Sequence, residues 1–243
     1  MVVEVAMRNI KSSNYEFYLM QLADSFFPSG MFGLSGGLES FVNNGKIKKE
    51  KDVIKFLEQQ LKLQFIPCDC VIISTIIDAA NKKDILMATS IDNILYSMKL
   101  VKEIRTASIR SGQQLLNCIL YVTWAWHESK FAKRFMSKIH NKETPGTYPA
   151  CLGISANCLG IQKQSAIRII IHTYSVGIIA AAIRLGIIQH LSGQKVLAMI
   201  TKNVDAYIPT IAEKSIKDIW QFTPLTDIFQ MRHEHEDIRM FIT

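Results

Sequence analysis

Six histidines, five cysteines and a glycine-rich stretch are the parts of this sequence that could do chemistry, and their spacing decides which chemistry is open to them. Of His127, His140, His172, His190, His233 and His235, only the last two are close together. On a helix a two-residue separation turns them to nearly opposite faces, so a shared metal would require extended backbone there. The spacing instead turns His233 towards Asp237, four residues on, as a hydrogen-bonded pair. Cys68 and Cys70 have the same two-residue spacing, and on a helix predicted to begin near Pro67 their thiols point apart. Cys151 and Cys158 share a helical face, but two thiols do not complete a structural zinc site; small buried hydrophobes are the better reading. No metal site is assigned, and five thiols without a disulfide framework suit a reducing compartment.

The glycine-rich stretch runs from Gln21 to Glu39, QLADSFFPSGMFGLSGGLE, and holds Gly30, Gly33, Gly36 and Gly37 out of twelve glycines in all. Pro28 fixes its own φ and pushes Phe27 towards extended geometry. The string Gly33-Leu34-Ser35-Gly36-Gly37 fits a nucleophile elbow in letters, but that device joins a buried strand to a helix, and no strand pattern precedes Gly33. A phosphate cradle fails too, since no Lys-Ser or Lys-Thr follows the glycines. Two readings stay open: a tight helix-to-helix connection that uses the glycines only to turn, and a protein-facing loop with Phe26, Phe27, Met31 and Phe32 as anchors. No catalytic residue is assigned, and the chain is expected neither to hydrolyse nor tightly to bind GTP by itself.

The elements that must position these residues are helical. Tyr15 to Asp24 and Leu34 to Val42 flank the loop, and the second stops at Asn43-Asn44-Gly45. Val53, Phe56, Leu57 and Leu61 recur at helical spacing behind Asp52, a suitable N-cap. Cys68 to Ala80 is apolar almost all round, and its neighbours favour helix over strand. Ile91, Ile94, Leu95 and Met98 continue the pattern into a long helix whose opposite side is made basic by Lys99, Lys102, Arg105 and Arg110. Gln113 to His127, Ala150 to Leu159, Gln162 to Ile188 and the set Val196, Leu197, Ile200 and Val204 follow, with a break at Thr144-Pro145-Gly146 and another near Pro209. Period-two alternation and hairpin signals are missing throughout, so the predicted class is all-α, a single domain over residues 1–243.

Composition narrows the location. The longest apolar run, Ile169 to Ile183, falls short of the ~20 residues that a spanning helix needs, and the N-terminus has Glu4 where a signal peptide would be basic and apolar. A cytoplasmic protein without a membrane span is expected. The net charge of +7 is concentrated between Lys99 and Lys142, where nine basic residues face two acidic ones. Such a patch suits an acidic protein partner or a nucleic acid; without a zinc-finger or RNA-recognition signature, nucleic-acid binding is the alternative reading.

Two further segments point to protein partners. In PLTDIFQMRHEHEDIRMFIT, from Pro224 to the end, Arg232 and Arg239 are seven apart on one helical face, and Met240, Phe241 and Ile242 form an apolar tip suited to docking on a partner, the alternative being a tail folded onto its own core. The segment from Gln162 to Ile188 is more apolar than one covered face requires, which predicts a homodimer with Tyr174 and Arg184 at its interface.

Pro28-Ser29-Gly30 followed by Ser35-Gly36-Gly37-Leu38-Glu39 resembles the N-terminal signature of the urease accessory protein family UreF. Three more blocks follow in the family's order: Lys102 to Leu116, Tyr148 to Gln194 with Arg184-Leu185-Gly186, and Met231 to Thr243. The sequence departs from the family at Leu34, where Tyr or His is usual, and at Arg239-Met240-Phe241-Ile242-Thr243, where Arg-Leu-Phe-x-Ser is usual. The resemblance implies a single domain of about ten helices that pairs as a homodimer and works without a cofactor of its own. It further implies a scaffold that docks on UreD (UreH in some organisms), recruits the GTPase UreG and helps deliver nickel to apo-urease. Pro28, Gly30, Ser35, Gly37, Glu39, Arg232, His233, Arg239 and Phe241 are the residues expected to meet those partners, with the tail ordering on UreD.

Overall fold

The computed structural model describes residues 16–28, 33–123, 129–234 and 240–241; Gly30, Met31, Phe32, His127, His235, Asp237 and Arg239 lie outside them. The protein is all-α, with no strand among the described residues. Helix α1 covers residues 16–23. There follow α2 (Leu38–Asn43), α3 (Glu50–Gln60), α4 (Cys70–Asn81), α5 (Ile85–Met98), α6 (Lys102–Val122) and α7 (Ser129–His140). The second half contributes α8 (Tyr148–Cys158), α9 (Lys163–Arg184), α10 (His190–Asp205), α11 (Ile208–Ala212) and α12 (Pro224–His233).

Helix α4 lies at the centre, packed against α5, α8 and α9. Cys70, Val71, Ile72, Ile73 and Ile76 on it are fully buried, so neighbours cover most of its circumference and its sequence is apolar almost all round. Gly153 of α8 allows a close approach to α4, because a Cβ there would come within 2.7 Å of Ile76. Helix α9 packs on α4, α10, α11, α8, α3 and α2, so its excess apolarity is consumed largely within the chain. Helices α3 to α4 (Glu50–Asn81) and α9 are long and apolar enough to cross a bilayer; 72% and 61% of their most apolar windows are buried inside the protein.

The structure corrects several expected boundaries. Helix α2 starts at Leu38 rather than Leu34, since Gly36 and Gly37 at φ 60° and 92° make a turn that no helix continues. Asp52 is not the N-cap of α3 but its third residue, reaching back to accept from the N–H groups of Lys48 and Lys49 at 3.0 and 3.2 Å. No helix begins at Pro67. The chain runs helically from Glu50 to Asn81, and Pro67 sits inside a π-helical stretch, Leu61–Asp69. Proline cannot donate to the carbonyl four residues back, and the Leu63 carbonyl accepts instead from Phe222 N–H at 2.9 Å, while Trp220 N–H reaches the Pro67 carbonyl at 3.2 Å.

The basic helix face loses its first member. Between α5 and α6 the chain turns, and Lys99 is 5% exposed with its ammonium 2.9 Å from Asp69. Burial by itself would lower the Lys99 ammonium, but Asp69, with Cys68 and Asp227 beside it, holds it above its ordinary value.

Candidate functional site

The glycine turn and the far end of the chain meet in one assembly. Gly36 and Gly37 lead the chain into α2 so tightly that a Cβ on Gly37 would come within 2.8 Å of the Gln230 side chain. A Cβ on Gly36 would lie 3.0 Å from Ile178 and 3.1 Å from the Tyr174 hydroxyl. Gln230 of α12 donates from Nε2 to the Gly36 carbonyl at 2.9 Å. Behind this contact Phe41 of α2 packs on Phe229 of α12, ring centroids 4.2 Å apart, and on Phe56 of α3 at 5.2 Å. Gln60 of α3 donates to Thr226 Oγ1 at 2.6 Å, tying α12 to the long helix.

Glu39, in the first turn of α2, is the hub. It is 3% exposed and its Oε2 lies 3.1 Å from His233 Nε2. The other ring nitrogen of His233, Nδ1, lies 3.0 Å from Glu103 Oε2 on α6, so a fully buried imidazole bridges two carboxylates. Both contacts are hydrogen bonds together when each nitrogen carries a hydrogen. Glu39 also accepts from Met240 N–H at 2.7 Å through Oε1 and from Phe241 N–H at 3.1 Å through Oε2. Phe241 is 5% exposed, and the Arg184 guanidinium carbon stands 4.3 Å from its ring centroid.

The expected site residues divide accordingly. Ser35, Gly37, Glu39, His233 and Phe241 are brought together but buried within the chain, so the loop from Gly33 to Glu39 belongs to the packed body rather than to a free surface. Ser35 Oγ accepts from Gly37 N–H at 3.3 Å, a bond internal to the turn. Pro28 and Arg232 are exposed, and Arg232 lies 5.7 Å from the Phe229 ring centroid. Gly30 and Arg239 fall outside the described residues, as does Asp237, the partner expected for His233. Phe241 is no exposed tip, because its backbone N–H and ring both find partners in the same chain. Of the two residues expected at a dimer interface, Tyr174 is buried and stacked on Phe65 at 3.8 Å, and Arg184 is exposed beside Phe241.

Two features escaped the sequence reading. Glu103 gave no signal, because it lies 130 residues from His233 and only the fold joins them. The outer face of α12 was readable as spacing: Leu225, Ile228 and Met231 recur every three residues and are 59%, 49% and 45% exposed. Trp220, Phe222 and Met240, at 45%, 67% and 60%, are further exposed apolar side chains among the described residues of this end of the chain. Exposed apolar residues grouped this densely mark an interaction surface. Among the described residues no cluster of three His, Cys, Asp or Glu side chains is arranged to hold one metal ion.

The sequence has relatives among known proteins. The UreF family profile matches residues 47–201. A urease accessory protein UreF of Trichodesmium erythraeum is 28% identical over 215 residues, covering 88% of this chain and 91% of the relative. UreF 1 of Brucella melitensis is 27% identical over 225 residues (93% and 91%), and UreF of Photorhabdus laumondii is 28% identical over 225 residues (92% and 96%). With the profile covering more than half of the sequence, the chain belongs to the UreF family of urease accessory proteins.

Proposed function

We propose that this protein is a scaffold in urease maturation: it docks on UreD, recruits the GTPase UreG, and in that complex serves nickel delivery to apo-urease in the cytoplasm without binding nickel tightly itself. The observation that carries the reading is the exposed apolar stripe Leu225, Ile228 and Met231 on α12, edged by the charged Arg232 on a helix that Gln230 ties to the glycine turn. A stripe of this kind on a helix whose other face is anchored by Gln230, Phe229 and His233 has the form of a protein-docking surface. We assign UreD to it, and UreG to the loop around Pro28. Pairing of two copies at the α9 end carrying Arg184 completes the proposed assembly.

The test is a calorimetric titration against UreD. Leu225→Asp combined with Ile228→Asp puts two charges on the stripe without touching the buried face, so the melting temperature should hold while affinity falls at least thirtyfold, corresponding to ~2 kcal/mol. Undiminished UreD binding by this variant would overturn the assignment of α12 as the docking face.

A further inference from the structure

The last described residues of the chain lie in a place shaped to receive them. Glu39 offers both carboxylate oxygens to two successive backbone N–H groups, those of Met240 and Phe241. Every residue except proline carries such an N–H, so this half of the contact is blind to sequence. The other half is selective: the Phe241 ring is buried beneath Arg184, 4.3 Å from the guanidinium carbon to the ring centroid. The receiving groups are fixed independently of the tail. His233, fully buried, holds Glu39 from the opposite side, Glu103 holds His233, and Arg184 is the last residue of α9.

The two described residues of the tail are held by two hydrogen bonds and one buried ring, while the Met240 side chain is 60% exposed. A buried carboxylate deprived of those two N–H groups is poorly satisfied, so an empty site would favour any segment supplying the same groups. We propose that Glu39, His233 and Arg184 form a peptide-binding seat for a short segment presenting two successive backbone N–H groups and an aromatic ring. The chain's own Met240–Phe241 is its exchangeable occupant, and the same segment of a second copy is the competing ligand. The seat does not depend on which protein docks on α12.

A fluorescent peptide of residues 232–243, titrated into the full-length protein and followed by anisotropy, tests this. Full-length Phe241→Ala should bind the peptide saturably, and wild type at least tenfold more weakly, because its seat is filled. Replacing the peptide's own Phe by Ala should weaken its binding to the Phe241→Ala protein at least tenfold, as should adding Arg184→Ala to that protein. Met240→Pro is the second receptor variant should Phe241→Ala lose helicity, since it deletes one of the two N–H donors at an exposed side chain. Absence of binding to the receptor variants, equal binding to wild type, or indifference to the peptide's Phe would each overturn the seat. The titration contains no UreD, so its failure is distinct from failure of the docking assignment.

Discussion

Gly37 has two reasons to be glycine, a φ of 92° and a neighbour 2.8 Å from where a Cβ would stand. A left-handed conformation costs a residue with a side chain about 1–3 kcal/mol, and the Gln230 side chain would also have to move away from the Gly36 carbonyl. Gly37→Ala is therefore expected to lower thermal stability by several degrees, read from a circular-dichroism melt, and not only to disturb partner binding. A melt equal to wild type would show that the turn relaxes freely. The sequence made the turn legible, because Gly36 and Gly37 follow Ser35 where a helix pattern starts. What lies over the turn was not legible: Gln230 is 194 residues away and Phe241 is 202 residues from Glu39, and no local spacing reports such a pairing.

At the scale of the element, the connection from α7 to α8 is held by one side chain. Asp92 of α5 accepts from Thr144 Oγ1 at 2.6 Å, Gly146 N–H at 2.7 Å, and Thr147 N–H and Oγ1 at 3.0 and 2.5 Å. Burial nevertheless raises its carboxyl above the ordinary 3.8, the four hydrogen bonds opposing that rise only in part. The folded chain therefore takes up this proton at higher pH than the unfolded chain does. The contribution of Asp92 to stability is greatest below the unfolded pKa and falls as pH rises through the folded one. Asp92→Asn places an amide N–H₂ among donors, so the variant should be less stable by about 1–3 kcal/mol at neutral pH, and its melting temperature should lack that downward slope in mildly acid solution. An unchanged slope would assign the titration to another carboxylate. The sequence marked Thr144-Pro145-Gly146 as a break, but Asp92, half a hundred residues earlier, gave no sign that it would hold it.

Across the whole molecule, what the sequence conveyed was the class and the succession of helices; what it withheld was how far burial reaches. Lys99 counted as part of a wet face and lies inside, because a single turn before α6 reverses which side of the chain meets solvent. The thiols offer a reading of the same interior. Burial raises Cys70 and Cys151 well above the ordinary thiol range and Cys68 to about 12, whereas Cys118 is only partly covered. Iodoacetamide at pH 8 should label Cys118 first, and the buried four, Cys68, Cys70, Cys151 and Cys158, only as fast as the protein unfolds, which mass spectrometry of timed samples would resolve. Early labelling of Cys151 would show that the centre opens locally. The long helix through Pro67 has a consequence of a different kind. A π-helical stretch sets the angular phase between α3 and α4, and each residue of a helix advances that phase by about 100°. Loss or gain of one residue between Leu61 and Asp69 would leave both halves helical yet rotate Ser74 away from the Ala212 carbonyl that it meets at 2.7 Å. Length in this segment is thus constrained as tightly as composition, and descendants of this sequence should vary its residues while keeping their number.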